Sequence, residues 1–292
     1  MKVLNFGSLN IDYVYPVDHI IIPGETEPTG EVKENCGGKG LNQSIALSKA
    51  GVKVHHAGLV GEEGQLLIDK CLENNVDASF IRKIPGRSGH TIIQVDKEGQ
   101  NSILLFGGAN RQFTKEFIDE VLSNFGEGDM LILQNEVNLL DYIIDSAYEK
   151  KLKIVLNPSP YDKAVEKCDL KKISIFLLNE IEGEQISGEK DPDRILKVLS
   201  EKYPDAEIVL TLGSEGSVYK YKDKEYRQGI YKVKAVDTTA AGDTFTGYFI
   251  SSLINGHDIP ESLDIAAKAS SIAVTRPGAT DSIPLKEEVE KA

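Results

Sequence analysis

Near the C-terminus, the run Asp237-Thr238-Thr239-Ala240-Ala241-Gly242-Asp243-Thr244-Phe245 sets one carboxylate, Asp243, where small residues lead into an amphipathic stretch. The N–H groups that open a helix lack intrahelical partners, and with the helix dipole they form an anion site. A carboxylate beside that site repels an anion unless a hydroxyl lies between them. The carboxylate can then take the hydroxyl proton while the N–H groups hold a transferring phosphoryl group. The competing reading is that Asp243 only caps the helix.

Other clusters carry similar pairs of readings. Gly37-Gly38-Lys39-Gly40-Leu41-Asn42-Gln43 precedes a helix that runs to Ala50 and ends at Gly51. Its glycines admit close approach of a ligand, and Lys39 and Asn42 can bond hydroxyls. The alternative is a flexible loop capped by Asn42. Asn10 and Asp12 follow Gly7-Ser8-Leu9 at a strand end, and their i, i+2 spacing points both the same way. Such a pair suits sugar hydroxyls, or is a polar turn. Asn179 and Glu182 sit at a strand-to-helix junction, which suits the water shell of Mg²⁺ near a polyphosphate, or an ordinary helix cap. No G-x-x-x-x-G-K-[ST], GxGxxG or HExxH pattern is present. His55 and His56 are adjacent in a strand-like segment, point to opposite faces and read as structural.

These residues need a scaffold. Short apolar runs recur and stop at polar residues: Val3 to Ser8, Met130 to Glu136, Ile154 to Asn157, Ile173 to Asn179 and Ile208 to Ser214. Such runs read as strands buried on both faces. Helix-like stretches lie between them, at Phe117 to Phe125, Leu140 to Lys150 and Arg194 to Lys202. The alternation predicts an α/β fold with a doubly wound, mostly parallel sheet flanked by helices. Ligands then bind beyond the carboxyl ends of the strands, where Asn10, Glu136, Asn157, Asn179 and Ser214 should gather. Helices are expected from Asp243 to Asn255 and from Pro260 to Thr275.

Two segments break the pattern, at about 12–36 and 88–107. The first is rich in β-branched residues, Pro and Gly, and the second reads as a hairpin around Lys97-Glu98-Gly99. They predict a small protruding β-sheet. Alternation puts Ile92, Ile103 and Leu105 on one face and Ile93 and Leu104 on the other. One face can cover a site, and the other then needs a partner such as a second copy. The reading is of one α/β domain over residues 1–292.

Composition excludes several classes. The net charge of −13 argues against nonspecific nucleic-acid binding. No apolar run is long enough to span a membrane, and no secretory signal is evident. Three scattered cysteines, Cys36, Cys71 and Cys168, suggest reduced thiols and a cytoplasmic protein.

In order along the chain, Gly7–Asp12, Gly37–Gln43, Gly108–Asn110, Leu156–Pro160, Asn179–Glu182, Thr211–Gly216, Ala235–Phe245 and Val274–Ala279 resemble the motifs of the ribokinase-type carbohydrate kinases. The set is closer to the ribokinase branch than to the fructokinase or adenosine kinase branches. The resemblance implies ATP-dependent phosphorylation of D-ribose at O5. Asp243 is then the catalytic base, and the backbone of Ala240, Ala241 and Gly242 the anion hole. It also implies a sugar site at Asn10, Asp12, Gly38, Lys39, Asn42, Glu136 and Asp243. The ATP site falls at Asn179, Thr211, Leu212, Gly213, Ser214, Glu215, Gly216 and Gly242, with Glu182 linked to Mg²⁺. An activating K⁺ is implied at Asp237, Thr239, Ala273, Arg276, Gly278 and Ser282, largely through carbonyls. The protruding sheet matches the family's lid and its homodimer interface. Leu41 stands where a smaller residue is common and is expected to tighten the sugar pocket. Pro277 follows Arg276 where a lysine is familiar. Alternatives are a kinase of 2-deoxyribose, fructose or a nucleoside, or an idle sugar sensor, against which an intact Asp243 argues.

Overall fold

The chain was analysed as a computed structural model that describes residues 1–292. It begins with strand β1 (Val3–Phe6), then β2 (Asn10–Pro16) and β3 (Lys33–Gly37), followed by helix α1 (Lys39–Lys49). Strand β4 (Val54–Val60), α2 (Gln65–Glu73), β5 (Asp77–Lys83), β6 (Gly89–Val95), β7 (Asn101–Phe106) and α3 (Lys115–Leu122) come next. The middle holds β8 (Met130–Gln134), α4 (Leu140–Glu149), β9 (Lys153–Asn157), α5 (Lys163–Glu166), β10 (Ile175–Asn179), α6 (Glu180–Ser187) and α7 (Pro192–Lys202). The chain ends with β11 (Glu207–Thr211), β12 (Ser217–Tyr221), β13 (Lys224–Gln228), α8 (Ala241–Ile254), α9 (Ile259–Ala273) and α10 (Lys286–Glu290).

A nine-stranded sheet has the order β13-β12-β11-β10-β9-β8-β1-β4-β5. All its pairs are parallel except those of the β11–β12–β13 meander at one edge. The winding reverses between β1 and β8, and the ends of strands at such a switch form a crevice. Alternation along the strands sorts apolar side chains to two cores. Leu4, Phe6, Leu131 and Leu133 pack with α3, α4 and α7. Val3, Met130 and Ile132 pack with α1, α8 and α9 on the other face.

The separate sheet, β3-β2-β6-β7, is the expected protruding one. Two details differ from the sequence reading. Residues 17–32, including Ile20 to Ile22, join β2 to β3 without forming a strand. The hairpin register also pairs Ile92 with Leu104, Ile93 with Ile103 and Thr91 with Leu105. Directly opposed residues share a face. Ile93, Ile103 and Leu105 therefore lie together, and Ile92 lies with Leu104. An odd-numbered loop, whether the expected Lys97-Glu98-Gly99 or the observed 96–100, sets even positions opposite even ones, so the expected turn itself requires this pairing and the expected faces do not follow from it.

Helices α8 and α9 match expectation within two residues, as α8 begins at Ala241 rather than Asp243. Asp243 is thus the third residue of α8. The helix crosses α1 at Gly247, where an added Cβ would lie 2.3 Å from Ala46 Cβ. That contact decides how near Asp243 comes to the first turn of α1. Gly247→Ala should therefore cost about 1–3 kcal/mol by overpacking, read as a lower urea midpoint. A midpoint equal to that of the unaltered chain would mean that the two helices separate freely.

Candidate active site

An open cavity of about 1270 Å³ lies beyond the strand ends, roofed by the small sheet. Its volume exceeds the range of about 300–1,000 Å³ usual for one small ligand, so it has room for two. Asn10, Glu136, Asn157 and Asn179 line it, as the strand-end argument expected, whereas Ser214 does not.

At one end lie Asn10, Asp12, Gly38, Lys39, Asn42 and Glu136. Asn10 and Asp12 belong to β2, not to a turn, so their common side is the cavity face of the small sheet. Asn110 Nδ2 donates to Asn10 Oδ1 at 2.7 Å. This orients the Asn10 amide. The bond fits only because residue 89 is glycine, where a Cβ would stand 2.1 Å from Asn110 Nδ2. Asp12 Oδ1 accepts from Thr91 Oγ1 at 2.5 Å, and the other carboxylate oxygen occupies the space a Cβ at Gly37 would take. Burial pushes the Asp12 carboxyl up to about 6, the Thr91 hydroxyl opposing the shift and the Glu136 charge adding to it.

Helix α1 begins at Lys39, so Asn42 stands in its first turn and caps nothing. Asn42 Nδ2 donates to Asp243 Oδ2 at 2.9 Å. That leaves Asn42 Oδ1 as a buried acceptor without a partner, at the cavity. A hydroxyl donor would satisfy it, since an unmade buried bond costs about 1–3 kcal/mol. Glu136 Oε2 accepts from Lys39 N at 3.0 Å and from the Ser8 hydroxyl. Burial would lower the Lys39 ammonium, but the carboxylates of Asp243, Glu136 and Glu182 outweigh it and hold the charge on.

Leu41 is fully buried in the core between the sheet and α8, not in the cavity. It does not narrow the cavity, contrary to expectation. On a helix its neighbours Gly40 and Asn42 face other directions, so the substitution is absorbed by packing.

Asp243 is not a cap: it makes no capping bond, and both of its oxygens accept side-chain amides. The turn before it holds Ala240 in the left-handed region at φ 58°, a conformation that costs a non-glycine residue about 1–2 kcal/mol. The bend lets Ala241 N–H bond the Thr238 carbonyl at 3.2 Å. The N–H groups of Ala240, Gly242 and Asp243 have no backbone acceptor. Of the three N–H groups expected to form the anion hole, that of Ala241 is thus engaged, and the free N–H groups of this turn are those of Ala240, Gly242 and Asp243.

At the far end, Asn179 caps α6 in a capping box. Its Oδ1 accepts from Ile181 N and Glu182 N, and Glu182 Oε2 accepts from Asn179 N at 2.8 Å. The capping reading of this pair thus holds, and both residues also line the cavity, as does Thr211. Leu212 points into the core, and Gly213 to Gly216 form a turn outside the cavity lining. Ala235 and Val236 line it instead.

Asp237 ties two loops together, accepting from Thr239 N and Gly278 N at 2.9 Å each. Burial opposes ionisation there, but these N–H bonds and the Thr239 hydroxyl hold its carboxyl below the ordinary range. Asp237, Thr239 and Gly278 share the cavity wall with the start of α8. Ala273, Arg276 and Ser282 do not line it. The Ala273 carbonyl accepts from Arg276 N, the Arg276 side chain pairs with Glu288 at 2.6 Å, and Ser282 Oγ donates to Ala279 O. Their backbone carbonyls and the lone pairs of Ser282 Oγ remain available to an ion.

The sequence reading named neither Thr91 nor Asn110 as functional. Asn110 sits in a quoted motif, but its bond to Asn10 joins the turn at Gly108–Arg111 to β2, 100 positions earlier in the chain. Thr91 faces Asp12 only through the parallel β2–β6 pairing, in which these two are register partners.

Comparison with known proteins agrees with this geometry. The sequence pattern of the pfkB family carbohydrate kinases matches residues 1–286. A ribokinase of Staphylococcus aureus is 35% identical over 305 aligned positions, covering 99% of both chains. Ribokinase from Thermotoga maritima has a TM-score of 0.88 at 32% identity, covering 100% of this chain and 98% of its own. Arabidopsis thaliana ribokinase, solved in complex with ribose and ATP, has a TM-score of 0.88 at 26% identity, covering 99% and 97%. With matches of this extent, the chain belongs to the pfkB family of carbohydrate kinases.

Proposed function

We propose that this chain transfers the γ-phosphoryl group of ATP to O5 of ribose. The observation that carries the reading is Asp243, a buried carboxylate in a cavity with hydroxyl-binding groups at one end and Asn179 and Thr211 at the other. Asn10, Asp12, Lys39, Asn42 and Glu136 would hold the sugar. Asp243 would take the proton of the 5-hydroxyl as its oxygen bonds the γ-phosphorus and ADP leaves. The N–H groups of Ala240, Gly242 and Asp243 would face the charge on the transferred group. Relatives named ribokinase, one of them solved with ribose and ATP, support the choice of substrates.

Glu182 offers one carboxylate near the proposed phosphates, which fits an Mg²⁺ held mainly by phosphate and water. When bound, Mg²⁺ neutralises phosphate charge. The Asp237 loops, anionic and rich in carbonyls, fit a large monovalent cation such as K⁺. It would brace the turn that holds the anion-hole N–H groups. Cys36, Cys71 and Cys168 are unpaired, which supports a reducing, cytoplasmic setting. We read residues 1–292 as one kinase domain, with β2, β3, β6 and β7 as its lid.

The lid has a second apolar face. Ile92, Leu104 and Phe106 lie on it and are exposed, Leu104 by 68%. A two-fold copy of the same face is the simplest cover, and a homodimer follows.

Asp243→Asn is near-isosteric and removes the base. It should bind ATP normally and lose about 10²- to 10⁴-fold in kcat, measured by ADP release with ribose. Near-normal turnover would remove Asp243 from the chemistry, and a parent that releases ADP with fructose or a nucleoside but not ribose would move the substrate.

The Asp12 carboxyl loses its charge as pH falls through about 6. The KM for ribose should therefore rise below that pH, while the KM for ATP stays level. Asp12→Asn should bind ribose weakly and flatten the dependence. A parent whose ribose KM is constant from pH 5 to 8, by initial rates, would exclude Asp12 as an anionic sugar ligand.

Leu104→Asp should convert a dimer to a monomer in light scattering, whereas Ile103→Asp, on the cavity face, should raise the ribose KM without changing the mass. A parent that is already monomeric at micromolar concentration would leave the sheet as a lid alone.

A further inference from the structure

A buried chain of side-chain amides runs from the core of the main sheet to Asp243. Asn5 Nδ2 donates to the Gly40 carbonyl and to Ser44 Oγ, both at 2.8 Å. Gln134 Nε2 donates to Asn5 Oδ1 at 3.0 Å and to Gln43 Oε1 at 2.6 Å. Gln43 Nε2 donates to Asp243 Oδ1 at 2.9 Å. Asn5, Gln43 and Gln134 are fully buried and do not line the cavity.

The direction of this chain is forced. A backbone carbonyl only accepts, so Asn5 must present its NH₂ to Gly40. Its Oδ1 then faces Gln134, which must present its own NH₂. Both N–H groups of Gln134 are thereby committed, one to Asn5 and one to Gln43. Gln43 is left with its Oε1 toward Gln134 and its N–H toward Asp243. A second carbonyl fixes the other branch. His56 Nε2 faces Gly7 O at 3.3 Å, and burial pushes the ring down to about 4, so it is neutral with a bare Nδ1. Ser44 donates to that Nδ1 at 2.8 Å and hence accepts from Asn5.

We infer that Gln43 is a positioning residue for Asp243, held in its donating orientation by Gln134 and Asn5. The contact reaches Oδ1 from outside the cavity, so a sugar does not displace it, unlike Asn42, which lines the cavity. Stability alone gives a poor account of the chain, because Gln134 Oε1 is left buried without a partner. Apolar side chains of similar shape at all three positions would avoid that cost. Placement of a base, in contrast, needs a fixed carboxylate plane, since displacement of about 1 Å can cost 10²-fold in rate.

This inference rests on the proposed function, and kinetics on full-length variants separate the two. Gln43→Met keeps length and removes the donor. Its kcat should fall about 10- to 100-fold, with the KM for ribose and for ATP within about threefold of the parent. Gln134→Met touches neither Asp243 nor substrate and should change kcat in the same direction. Gln43→Glu is near-isosteric and sets a second carboxyl against Asp243. The two then share a proton, so the acid limb of the kcat profile should move to higher pH. Packing alone does not produce that change. Thermal melts establish folding, and if Gln43→Met does not fold, the other two variants decide. Folded variants with kcat within about twofold of the parent and an unmoved pH profile overturn the inference, even if their melting points fall. A raised ribose KM at unchanged kcat overturns it as well. A parent inactive on every sugar overturns the proposed function along with it.

Discussion

Asp243 accepts one amide from Asn42 and one from Gln43, adjacent residues about 200 positions away in the chain. Most of the site depends on that meeting. It requires the first turns of α1 and α8 to lie side by side at the ends of the same strands. The close crossing at Gly247 and Ala46 brings them there, and the glycine is what permits the distance. An unpaired carboxylate at this depth would be expensive. Two directed N–H groups satisfy it and aim it at the cavity.

The same packing explains how one crevice can serve two substrates. The winding reversal between β1 and β8 opens the sheet where loops diverge. Residues from β2, α1 and the turn after β8 face one end, while β10, α6 and β11 supply the other. Asp243 and the turn before α8 stand between them. Lys39 carries its charge among carboxylates from three elements, which keeps an acidic cleft from repelling itself. Ordering Asp237 across two loops gives the α8 turn a second brace, independent of the amide chain.

The small sheet is bound to this arrangement by side chains as well as by strands. Asn110 joins Asn10 to the segment after β7, and Thr91 joins Asp12 to β6. The Asn10 and Asp12 side chains proposed to hold the sugar are thus coupled to the position of the hairpin. Alternation separates the inner and outer faces of that hairpin completely.

The sequence by itself determined the alternation of strands and helices, the parallel core and the motifs at its strand ends. Apolar periodicity and turn residues are local, so Ile154 to Asn157 or Ile208 to Thr211 can be read as strands without knowing their neighbours. Asp243 was legible as a base or a cap, and only the fold excluded the cap, because its oxygens are taken by α1 rather than by its own helix. Register across the hairpin was legible from the turn, since an odd-numbered loop sets even positions opposite even ones. Whether Ile92 lies with Leu104 or with Ile103 depends on the length of the hairpin loop, and one residue decides it. Leu41 looked like a pocket residue because it stands in the Gly37–Gln43 motif where a smaller residue is common, yet helix geometry turns it into the core. The Asn5–Gln134–Gln43 chain left no local signal at all. Its members are ordinary polar residues in three separate segments, and their direction follows from a carbonyl, Gly40, that only the tertiary structure places against Asn5.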